Sequence, residues 1–103
     1  MIRGTTPRHI FTLPDAMADV EFAALYVTYM QHGKTVLEKT IDNINRDGCT
    51  ISVQLTQTDT LAFKGGIADA AQIQIRLRTT DGTALASNIM RVSVRQILKD
   101  GEI

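Results

Sequence analysis

Two histidines, His9 and His32, one cysteine, Cys49, and three serines, Ser52, Ser87 and Ser93, are the residues of this chain whose side chains ordinarily bind metals or attack carbonyls. Their spacing assembles neither chemistry. A zinc site needs three or four ligands at short intervals, whereas His9 and His32 fall in different predicted elements and Cys49 shares an inward-pointing face with Ile51, Val53 and Leu55. No serine lies in the Gly-x-Ser-x-Gly turn that exposes a nucleophile, and Gly65-Gly66 lacks the Lys-Ser or Lys-Thr of a phosphate loop. Asp15 and Asp19 read as solvated carboxylates after Pro14 rather than a general acid–base pair. The expectation is a non-enzymatic chain with no catalytic, cofactor-binding or metal-binding residues.

The side chains that do gather are arginines. Arg76, Arg78, Arg91 and Arg95 fall on or near the polar face of the last predicted hairpin, with Leu85 and Ile89 among them. Guanidiniums form paired hydrogen bonds with carboxylates and phosphates, and apolar residues bordered by arginine suit protein contact better than phosphate binding. These six residues are therefore the candidate protein-contact site. An ordinary solvated sheet face would have the same charges.

Those residues need a scaffold, and the composition supplies one. The chain has 103 residues, 44% of them hydrophobic, and 11 basic residues balance 11 acidic ones. That is enough apolar material for one core, and the charge balance lacks the basic excess that nucleic-acid binding requires. A single cysteine excludes an intrachain disulfide and suits a reducing cytoplasm. Residues 1–7 lack the apolar run of a signal peptide, and Val20 to Met30 is too short and too polar for a membrane helix, so neither export nor a membrane partner is expected.

Alternation of apolar and polar residues predicts strands. Arg8 to Leu13, between two prolines, is a first strand. Val20 to Gln31 is a second, with Leu25, Val27 and Tyr29 on one face, and it turns at His32-Gly33 into Lys34 to Ile41. A three-residue loop there, placing Tyr29 opposite Leu37 and Leu25 opposite Ile41, is preferred to a two-residue loop placing Tyr29 opposite Val36. Asp42 to Gly48 is a turn segment, and Cys49 to Thr56 a half-buried strand. Thr56-Gln57-Thr58-Asp59 has the form of a helix-capping box, predicting at most one helical turn near 57–63 that brings Leu61 and Phe63 onto the core. A two-residue Asp81-Gly82 loop would set the register of the last hairpin, Ala71 to Val94, pairing Leu77 with Ala86, Ile75 with Asn88 and Arg78 with Leu85, with a bulge or change of sheet at Ser87-Asn88. Six or seven strands with frequent turns predict an all-β antiparallel β-sandwich, Ig-like, over 8–98, with a small barrel as the alternative. Residues 1–7 are read as an N-terminal arm and 99–103 as a frayed tail.

Several stretches carry a resemblance: Met1-Ile2-Arg3-Gly4-Thr5-Thr6-Pro7, Phe11-Thr12-Leu13-Pro14, Ile51 to Gln57, Ile73-Gln74-Ile75-Arg76 and Thr79 to Ala84. With these the chain resembles, over nearly its whole length, small virion-associated proteins of unknown activity from structural gene clusters of tailed phages and prophages of gut Firmicutes. The Ala-rich stretch from Asp15 to Ala24 departs from that pattern. The resemblance implies a phage structural or accessory module, a capsid decoration, connector or tail/baseplate component, made in the bacterial cytoplasm and located in the virion. Its partners would be other virion proteins or copies of itself, in a homo-oligomer or multi-copy assembly. The resemblance transfers no site residue. Two other classes are a soluble phage-encoded protein that binds and inhibits a host protein, and a small-molecule binder using the space between the sheets.

Overall fold

Strand β6, Gly66–Thr79, with 14 residues, is the longest element. The computed structural model has a long axis of 47 Å. The structure describes the backbone of residues 1–103 and the side chains of all of them except 67 and 68.

Two antiparallel sheets pack face to face as a β-sandwich. One has three strands in the order β1 (Arg8–Thr12), β5 (Thr50–Gln54), β4 (Asn45–Asp47); the other runs β3 (Lys34–Thr40), β2 (Phe22–Gln31), β6, β7 (Ala84–Ala86), with β8 (Met90–Val94) also on β6. The eight strands exceed the expected six or seven because the turn segment 42–48 contains β4 and because the last strand is broken in two. The sheets remain separate, which excludes the barrel. The strand order is Ig-like as well: β1-β5-β4 corresponds to strands B-E-D, and β3-β2-β6-β7 to C′-C-F-G, with β2 pairing both β3 and β6.

The core follows from alternation. Leu25, Val27 and Tyr29 of β2 and Ala71, Ile73, Ile75 and Leu77 of β6 turn inward, where they meet Ile51, Val53 and Leu55 from the smaller sheet. Burying each large apolar side chain contributes roughly 1.5–3 kcal/mol. The expected helical turn is α1, Gln57–Leu61, capped reciprocally by Thr56 and Asp59. It delivers Phe63 edge-on to the Tyr29 ring at 6.0 Å.

Both long hairpins combine a turn with a bulge. His32 and Gly33 have φ of 53° and 75°, the left-handed pair of a two-residue turn. A bulge then shifts the register between Tyr29 and Met30, which puts Tyr29 opposite Leu37 as expected, without a three-residue loop; the ladder stops at Tyr26–Thr40, short of Leu25 and Ile41.

The last hairpin departs further. Its loop has three residues, Thr80-Asp81-Gly82, closed by the Thr79 N–H donating to Thr83 O at 2.8 Å, with Gly82 at φ 94°. Leu77 therefore faces Leu85, and Arg78 faces Ala84. At Ser87–Ile89 the strand bulges, and beyond it the expected pairs Ile73–Met90, Gln72–Arg91 and Ala71–Val92 are present. The bulge is not a change of sheet, because β7 and β8 both stay on β6. It lets the inward positions change from Leu85 and Ser87, opposite Leu77 and Ile75, to Met90, Val92 and Val94 on the core. In the observed arrangement Asn88 is exposed, and the Ser87 hydroxyl accepts the Ile75 N–H at 3.0 Å while Ser87 N–H donates to Ile75 O at 2.8 Å.

Residues 1–7 lie along the domain. Ile2 bridges Arg95 in parallel register, and Arg3 donates to Phe63 O at 2.7 Å and to Gln96 Oε1 at 2.8 Å. In 99–103, Ile103 exchanges two hydrogen bonds with the Gln57 side chain.

Candidate protein-contact site

The two sides of the sandwich are finished differently. On one, the chain passes from β3 through a 3₁₀ turn at Ile41–Asn43 into β4, joining the two sheets beside a depression of about 340 Å³ lined by Phe22, Ile41, Ile44 and Arg46. On the other, the edge strands β1 and β7 face each other across an apolar groove of about 420 Å³. Phe11, Leu13 and Met17 line it from the smaller sheet and its following turn, Leu77, Leu85 and Met90 from the larger. Ile10 stands at its rim, 62% exposed. Edge strands also present backbone N–H and C=O groups that an added strand can pair with.

Leu13 and Met17 owe their positions to an anchored segment. Leu13 N–H donates to Cys49 O at 2.7 Å, and the Asp15–Met17 turn is held by Arg46, whose guanidinium donates to the carbonyls of Met17 and Val20 and lies 3.8 Å over the Phe22 ring. Cys49 is half-buried rather than inward, its thiol donating to Pro14 O at 3.3 Å.

The structure separates the six residues drawn from the sequence. Arg76, Arg78 and Arg91 are exposed on the outer face of the larger sheet, and Arg76 stands opposite Tyr26 across β2 and β6. Ile89, 59% exposed in the bulge, adjoins Arg76, Gln74 and Met30 on that face. Arg95 is exposed past β8, its backbone bonded to Met1 and Arg3. None of these arginines makes an ion pair among the described residues. Leu85 is the correction: opposite Leu77 it turns into the groove, because a one-residue slip in register moves a side chain to the other face of a sheet. The groove was missed in the sequence because its wall comes from residues 11–17, distant in the chain; the signal present was Phe11, Leu13 and Met17 clustered around a proline.

Inside the sandwich the His9 ring Nδ1 and the Tyr29 hydroxyl pair at 2.8 Å. Burial lowers the His9 pKa below 6.5, helped by the N-terminal ammonium, and burial, then the Asp59 charge, raises that of Tyr29. Lys39 pairs with Asp59 at 3.0 Å. Burial acts to raise the Asp59 carboxyl, but the Thr56 N–H and Lys39 outweigh it and hold the carboxyl below its ordinary range. Tyr29 is fully buried and His9 half-buried, so the pair satisfies the Tyr29 hydroxyl inside the sandwich. Among the described residues no group of three His, Cys, Asp or Glu is placed to hold a metal, and no helix is long and apolar enough to cross a membrane. No family model matches the chain, and no curated protein matches it in sequence.

Proposed function

We propose that this chain is a non-enzymatic protein-contact module of a tailed-phage particle, a capsid decoration, connector or tail/baseplate component present in multiple copies. The observation that supports contact as its mode of action is the groove between β1 and β7, open to solvent and walled by Phe11, Leu13, Leu77 and Leu85. Exposed apolar concavities of this kind mark interaction sites. The phage assignment rests on the sequence resemblance. The outer arginine face, with Arg76, Arg78, Ile89 and Arg91, supplies a second surface of different chemistry, suited to carboxylate-bearing neighbours.

Quantitative mass spectrometry of gradient-purified particles from an induced lysogen tests this reading. A fixed copy number relative to the major capsid protein is expected, hundreds for a decoration or about a dozen for a connector or tail part. Recovery only in the unbound fraction overturns it in favour of a soluble protein that binds a host partner.

A further inference from the structure

We propose that copies of this chain associate head to tail, the Leu98–Lys99 loop of one copy seating in the β1–β7 groove of the next. This names the partner of the groove and rests on reading that groove as a contact site. Three features carry it: a projecting apolar residue, an apolar groove far from it, and charges of opposite sign at the two ends.

Leu98 is the most exposed large apolar residue among the described residues, at 107%. Its loop is held on both sides. Arg3 donates to Gln96 Oε1 at 2.8 Å and faces Asp100 at 3.6 Å, and Ile103 is bonded to Gln57. A side chain held in place before binding loses little freedom on docking.

Loop and groove lie toward opposite ends of β6. Gly66, at its start, pairs with Val94, immediately before the segment that carries Leu98. Leu77, in the groove, is near its other end. The ladder sets Gly66 to Ala71 against only Val92 to Val94, so the regular part of the strand between loop and Leu77 is Ala71 to Leu77, about 20 Å at roughly 3.3 Å per residue. Leu98 is fully exposed and its loop is tied to Arg3 and, through Ile103, to Gln57, so it lies outside its own groove and the contact is made with another copy.

The charges favour that contact. Around the groove end, Asp15, Asp19, Glu21, Asp42, Asp47 and Asp81 are exposed, make no ion pair among the described residues and outnumber the exposed Arg76 and Arg78, while Arg46 beside them is engaged by backbone carbonyls. At the loop end the carboxylates of Asp69 and Asp100 face His32 and Arg3, whereas Lys64, Arg95 and Lys99 are exposed with no ion pair among the described residues. A neutral chain is thus negative at one end and positive at the other, and Lys99 would arrive beside Asp15 and Asp19 as Leu98 enters the groove. Contact between two different surfaces of one chain produces an open filament or a closed ring.

Sedimentation velocity on the full chain and two variants tests the proposal. Wild type is expected to grow with concentration up to about 1 mM, and less so when salt is raised from about 20 mM to about 500 mM. Leu98→Asp and Leu85→Glu change exposed residues and should each be monomeric, with thermal unfolding near that of wild type. Mixed one to one they should form a dimer and nothing larger, since one intact loop meets one intact groove. A monomeric wild type, assembly undiminished by either variant, or no dimer in the mixture would overturn head-to-tail association. None of these results alters the copy number found in particles, which tests the broader reading by itself.

Discussion

Leu85 stands directly opposite Leu77 across the β6–β7 ladder, yet Leu77 is 7% exposed and Leu85 42%. Both point between the sheets. They differ because β6 is central and covered, whereas β7 is an edge at the mouth of the groove. Leu77→Ala should cost about 2–5 kcal/mol through the cavity it leaves, and Leu85→Ser should stay within about 0.5 kcal/mol of wild type. Urea unfolding of the two variants checks this; equal losses would mean that Leu85 belongs to the closed core.

The three-residue loop that pairs these leucines depends on the Ser87 bulge to restore the outer register. Ser87→Ala removes the acceptor for the Ile75 N–H in the middle of the sheet. An unsatisfied buried donor costs about 1–3 kcal/mol. The expected result is a stability loss of that size with faster hydrogen exchange at the Ile75 amide, whereas Asn88→Ala, at an exposed position, should change neither. Unchanged exchange at Ile75 would remove the hydroxyl from the ladder.

These two hairpins show which parts of the fold the sequence carries. The faces of β2, β5 and β6 are legible because Leu25, Val27 and Tyr29, then Ile51, Val53 and Leu55, then Ile73, Ile75 and Leu77 repeat with period two, and burial follows that period. The capping box at Thr56–Asp59 is legible because both partners lie within one turn. Register near the turns is not. Asp81-Gly82 is compatible with either a two-residue or a three-residue loop, and the inward run from Leu85 to Met90 and Val92 needs one extra residue whose place local pattern does not give. Of the candidate contact residues, those past the bulge kept their face and Leu85 did not. The groove itself joins residues 11–17 to 75–90, a juxtaposition made by the packing of two sheets that no local pattern encodes.

Arg46 stands in the short strand β4, where only turn residues were expected, and it organises the groove wall. Its guanidinium meets the carbonyls of Met17 and Val20 and the face of Phe22. Arg46→Lys keeps the charge but loses the fork that reaches two carbonyls at once. Both Arg46→Lys and Arg46→Ala should destabilise the fold, the alanine variant by about 1.5–3 kcal/mol, with amide exchange rising first in 15–20. If exchange rises evenly over the whole chain instead, the residue supports the fold globally and not the groove wall.

The His9–Tyr29 pair gives stability a definite dependence on pH. Because burial lowers the folded pKa of His9 below 6.5, the unfolded chain binds more protons at mildly acidic pH. His9 therefore contributes stability that is fully present above about pH 6.5 and lost as pH falls through its folded value. Asp59 acts in the same direction lower down: its folded pKa lies below 3.8, so its contribution is complete above that value and lost as pH falls through the folded one. Unfolding free energy should thus decline in two stages from neutral to acid. In His9→Gln the first stage should flatten while the second persists, and in Asp59→Asn the reverse. Urea titrations between about pH 3 and pH 8 separate the two. A His9→Gln profile parallel to wild type between pH 5 and pH 7 would show that His9 has the same pKa in the folded and unfolded chains, and the lowering by burial would be overturned.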